Sequence, residues 1–134
     1  MMNVRLFSVL IPVLLASGCS SAGKSSDNHL RAAAGAINHL VLFELRDQAY
    51  AEELIADCDR LVAAVGNLRS YFRGRHLDTG RPIVRDDYHV AFMVSFSSRE
   101  ELMRYGQHPM HLELAGKWKP RLASMRVYDI YDDR

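Results

Sequence analysis

The sequence predicts an α+β domain whose elements run β-α-β-β-α-β. Three observations predict it. Ile37 to Leu45 and Tyr88 to Phe96 are strand-like runs apolar on both alternating faces. Each is followed by a stretch with helical apolar spacing, and the chain closes on a further strand-like run, Met125 to Tyr131.

The first strand sets His39, Val41, Phe43 and Leu45 on one face, and Asn38, Leu40, Leu42 and Glu44 on the other. After Asp47, an expected N-cap, Leu54, Ile55, Cys58, Leu61, Val62 and Val65 form one stripe of a helix, with Gly66 as its stop. A second strand is expected at Arg69 to Leu77. Residues 78–86, with Asp78, Gly80 and Pro82, read as a hairpin loop. The third strand opposes Tyr88, Val90, Phe92, Val94 and Phe96 to His89, Ala91, Met93 and Ser95. Ser98 and Glu101 have capping-box spacing and open a short helix to about Tyr105. Pro109 restarts a helical stretch with Leu112, Ala115, Trp118 and Leu122 near helical spacing, and no internal repeat interrupts the order.

This is the split arrangement of a ferredoxin-like protomer. Its helices cover only one face of a four-stranded sheet, yet both faces are apolar here. A strand apolar on both sides must be covered on both. One chain of 134 residues lacks a second sheet, so a homodimer with the two sheets face to face is expected.

The N-terminus carries a separate signal. Arg5 precedes an apolar run, Leu6 to Leu15, which is shorter than the ~20 residues a spanning helix needs. It suits the apolar region of a secretory signal. Ala16-Ser17-Gly18-Cys19 follows and resembles the lipobox of bacterial lipoproteins, with Ala16 where Leu is commoner. Residues 1–18 are thus expected to be a cleaved signal and Cys19 the lipidation site. Residues 19–36, rich in Ser, read as a flexible tether with a span of roughly 20–25 Å. The domain would be held in the cell envelope, on the extracytoplasmic face of a membrane. Cys58 then has no intramolecular partner, and its place on the helix stripe points to core packing.

Charge narrows the partners. The formal charge is +1, and removal of Arg5 with the signal leaves 16 charges of each sign. A neutral chain lacks the basic face that duplex nucleic acid requires, so no nucleic-acid partner is expected. Lys117, Lys119 and Arg121 read as the wet face of a helix. No glycine-rich phosphate loop or flavin fingerprint is present.

Three segments carry a resemblance: His39-Leu-Val-Leu-Phe-Glu-Leu, Tyr88-His89-Val-Ala-Phe-Met-Val-Ser-Phe and Tyr105-Gly-Gln-His108-Pro109-Met-His111. Together they resemble the stress-responsive A/B barrel domain family, Dabb, over residues 37–131. The resemblance implies a ferredoxin-like protomer that pairs into a dimeric α/β barrel, and stress association in many members. One member, the plant olivetolic acid cyclase, closes polyketide rings on this scaffold. That distant resemblance places catalytic roles on Tyr105 and His111, with His39 and His89 as pocket histidines and His108 beside them. A neutral imidazole, with a pKa of about 6.5, can take a proton from carbon next to a carbonyl. A tyrosine hydroxyl can hold the developing enolate oxygen.

The same residues also have a structural reading. Pro109 can simply start a helix, His108 and His111 can anchor that turn, and Tyr105 can be a core aromatic. Imidazole suits zinc or copper, but no carboxylate or cysteine stands at a ligand spacing, so neither a metal nor a cofactor is expected. The leading expectation is a membrane-tethered dimer binding a small apolar ligand, with a stress-related role. The alternative is a cyclase-like lyase or isomerase.

Overall fold

The computed structural model describes residues 36–66 and 68–133. The expected signal, the lipidation at Cys19 and the tether as far as residue 35 lie outside the described residues. Four strands and three helices follow among the described residues: β1 (Ile37–Leu45), α1 (Ala51–Val65), β2 (Ser70–Arg75), β3 (Val90–Phe96), α2 (Arg99–Gly106), α3 (Pro109–Trp118) and β4 (Leu122–Tyr131). The strands form one antiparallel sheet ordered β2-β3-β1-β4. This is the ferredoxin-like α+β order that the sequence predicts.

Local chemistry explains the boundaries. The Asp47 carboxylate accepts the Ala49 N–H at 2.9 Å and caps a 3-10 turn, Gln48–Tyr50, that leads into α1. Gly66 ends α1 at φ 60°, ψ −177°, a backbone shape essentially reserved for glycine. Ser98 Oγ accepts the Glu101 N–H at 3.2 Å, and the Glu101 carboxylate reaches back to the Ser97 N–H at 2.8 Å.

The end of α3 differs from expectation. Leu112 faces solvent, Ala115 is exposed at the open cavity described below, and the core side of α3 carries Met110, Leu114 and Trp118 instead. Leu122 is not helical: it begins β4, three residues earlier than its apolar run suggests. Pro120 is the reason. It brings no N–H to continue an α-helix, so Lys119–Arg121 tightens into a 3-10 turn and the chain enters the sheet.

Register decides which residues share a face. Val41 pairs with Phe92 and Val127, and Phe43 with Val90 and Met125. These positions face the helices, and their β1 and β3 members join Leu54, Cys58, Leu61, Tyr105 and Trp118 in one core. The core is tied across α1 and α3 by buried Asp57. Its carboxylate accepts the Trp118 indole N–H at 2.7 Å and pairs with Lys117 at 2.6 Å and with Arg60. On the other face, Leu40, Leu42 and Met93 are half-buried, while Phe72, Tyr128 and Ile130 are 56%, 47% and 49% exposed. That apolar face carries no helix.

Candidate ligand site

The helix layer sits over β2, β3 and β1 and leaves the inner side of β4 uncovered, with Met125 54% exposed. Between that side and α3 lies a cavity of about 530 Å³. Val41, Phe43 and Phe92 line it from the sheet, Cys58 and Leu61 from α1, and Leu114 and Trp118 from α3. A volume of this size lies within the roughly 300–1,000 Å³ usual for small-molecule sites.

A tyrosine and two histidines cluster at one end. The Tyr105 ring stands between two imidazoles, 5.9 Å from His39 and 4.7 Å from His111, both at steep interplanar angles. Phe96 supports it from behind at 5.1 Å. Buried Tyr105 comes from the last turn of α2, and His111 from the first turn of α3, so the tight α2–α3 corner brings them together. His39 comes from β1 and is fixed by Asp129 on β4, with Nδ1 and Oδ1 2.6 Å apart. The two residues are direct cross-strand partners. A carboxylate at Nδ1 makes that nitrogen the donor and leaves Nε2 as the acceptor.

The environments set protonation. Burial pulls the His111 imidazole below its ordinary pKa; the Gly106 carbonyl opposes this, and His39 and His108 add to it. Its Nδ1 is buried and has no hydrogen-bond partner. Burial, with a smaller contribution from Cys58, holds the Tyr105 hydroxyl above its ordinary range, so it remains a proton donor at neutral pH. Burial likewise pushes the Cys58 thiol up to about 12, which leaves it a wall residue rather than a nucleophile.

The structure therefore unites His39, Tyr105 and His111 and separates two other candidates from them. His89 sits off this cavity, near the opposite end of β1: its Nδ1 accepts the Leu45 N–H at 2.9 Å, about 20 Å along the strand from His39. His89 precedes β3, which begins at Val90, so it lies outside the strand that the sequence predicts for it and apart from the His39 end of the sheet. His108 caps α3, its Nδ1 accepting the Met110 N–H at 3.3 Å. It lines a separate depression of about 280 Å³ with Arg104, on the other side of Tyr105. Among the described residues, no group of three or more His, Cys, Asp and Glu side chains could hold a metal ion. Sequence reasoning missed Asp129. Its strand parity, in phase with Met125 and Val127, was legible, but its partner strand was not.

Residues 37–132 match the family described as the Stress Responsive A/B Barrel Domain. The chain belongs to the stress-responsive A/B barrel domain family. A Dabb relative, a stress-response A/B barrel domain-containing protein of Arabidopsis thaliana, is 20% identical over 83 residues, covering 62% of this chain and 74% of the relative. Among solved structures, a dimeric ferredoxin-like protein from Thermobifida fusca superposes with a TM-score of 0.61 at 23% identity, covering 76% of this chain and 95% of its own. The hydroxynitrile lyase of Passiflora edulis superposes with a TM-score of 0.64 at 19% identity, covering 72% and 92%. Both likenesses are likenesses of fold.

Proposed function

We propose that this Dabb domain binds a small, largely apolar molecule in the cavity beneath α3, with an oxygen function of that molecule against Tyr105, His39 and His111. The observation that carries the reading is the shape of the cavity: apolar walls with all three aromatic polar groups gathered at one end. A neutral imidazole and a protonated phenol supply one acceptor and one donor there, which orients a carbonyl or hydroxyl without requiring charge. The test is titration with 1-aminoanthracene, a neutral dye that brightens in apolar sites, read also through Trp118, the single tryptophan, which lines the cavity. Binding is expected in the native chain and weakened at least tenfold by Ala115→Trp, which puts bulk at the cavity wall. Equal binding by both proteins, or none by the native chain, removes the proposal.

One observation favours a second, catalytic reading. Asp129 aligns the His39 imidazole as a carboxylate aligns a general base, next to a phenol and the His111 imidazole. In that reading Tyr105 and His111 catalyse proton transfer beside a carbonyl, as a cyclase-like lyase or isomerase. His111→Ala then abolishes turnover of a β-polyketone while dye binding survives; absence of turnover in the native chain leaves binding alone.

The helix-free apolar face of the sheet, together with the dimeric Thermobifida fusca neighbour, supports a homodimer. The lipobox-like sequence at Cys19 supports attachment to the extracytoplasmic face of a membrane. The likeness to a stress-response protein of Arabidopsis supports a stress-related role.

A further inference from the structure

The cavity is longer than the polar cluster needs. His111 and Lys119 both line it, and eight residues of helix and turn separate them by about 12 Å. The sheet gives the same length independently. His39 and Phe43 line the cavity four residues apart on β1, about 13 Å. The tyrosine and two histidines therefore occupy one end and Lys119 the other, with hydrocarbon and aromatic side chains between.

Lys119 is also unlike its basic neighbours. Lys117 pairs with Glu53 and Asp57, and Arg121 with Glu53. Lys119 is exposed, and among the described residues no carboxylate pairs with it. Among the described residues, Lys119 is thus the one ammonium or guanidinium side chain lining the apolar cavity. A flexible stem lets its ammonium meet an anion at the rim while the methylenes stay on the apolar wall.

We propose that the cavity takes a medium-chain amphiphile with an anionic head, lying along the cavity with the head at Lys119, its hydrocarbon along the apolar walls and an oxygen function at the far end of the chain against His39, Tyr105 and His111. This rests on the ligand-binding reading above and names the ligand class. A chain of matching length fills the apolar middle, and the head stays at the solvent edge, where its charge is not desolvated.

The experiment is displacement of 1-aminoanthracene from the full chain by decanoate and by its neutral methyl ester, near neutral pH. Decanoate is expected to bind roughly three- to fivefold more tightly, the scale of one exposed ion pair, with the preference shrinking in high salt. Lys119→Gln should equalise the two, and Lys119→Glu should favour the ester, each preference being a ratio taken within one variant so that any change in dye affinity cancels. A native chain that binds both equally, or a Lys119→Gln chain that keeps the preference, overturns the proposal while leaving the cavity's ligand-binding role intact. Failure of the dye itself overturns both. Decyl phosphate beside decanoate then separates a phosphate head from a carboxylate, either of which satisfies the proposal.

Discussion

At the scale of the residue, burial sets the chemistry. His111 is held below its ordinary pKa, so the folded chain resists a proton that the unfolded chain accepts. Its contribution to stability is fully present above about 6.5, the unfolded imidazole value, and is lost as pH falls toward the depressed folded value. Glu53 and Asp87 are also held low, by Lys117 and by Arg85, but as carboxylates they lose their contribution only at lower pH. Urea midpoints measured between pH 7 and pH 5 should therefore fall, and His111→Leu should flatten that fall. An unchanged slope in the variant would assign the loss elsewhere. The same desolvation explains why Cys58, though beside the cavity, is not a reactive thiol.

At the scale of the element, two glycines and one aspartate give opposite expectations. Gly66 ends α1 at positive φ with ψ near extended, and a Cβ there meets nothing within 4 Å. Gly66→Ala is thus expected to cost about 1–3 kcal/mol through backbone strain alone. Gly116 lies inside α3 with equal space around it. Gly116→Ala should stabilise by about 0.4–1 kcal/mol, because the alanine restricts the unfolded chain and suits a helix. Chemical denaturation of the pair separates strain from packing. Asp57 works between elements, fastening α1 to the Trp118 end of α3. Asp57→Ala should cost about 1.5–3 kcal/mol by stranding the indole N–H and releasing Lys117. A loss confined to a few tenths would show that α1 and α3 are held by apolar contact alone.

At the scale of the whole molecule, the sheet is the feature that asks for a partner. Its helix face is covered over β1 and β3 by the core, while Phe72, Tyr128 and Ile130 stay exposed on the other side. Phe72→Glu should convert a dimer to a monomer by light scattering, since a buried carboxylate facing apolar surface has no partner. A native chain that is already monomeric would remove the dimer. If each protomer carries a lipid at Cys19, the dimer holds its membrane by two anchors and leaves slowly. Cys19→Ala should then release the protein from membranes without altering its mass in solution.

Much of this was legible in the sequence, because it depends on local periodicity. Alternation located β1 and β3, the apolar stripe located α1, and the residues at Asp47, Gly66 and Ser98 marked boundaries that hydrogen bonding and backbone geometry then used. The two-faced strands also announced a sheet with more apolar surface than its own helices cover. Tertiary structure alone decided the site. Sequence gives each strand its parity but not its register. Register put His39 beside Asp129, while His89, before the start of β3, meets the Leu45 end of β1 instead. The α2–α3 corner turned Tyr105 and His111 toward the same space and His108 away from it. Periodicity is a property of one segment, whereas a site is a meeting of several, and their packing fixes it.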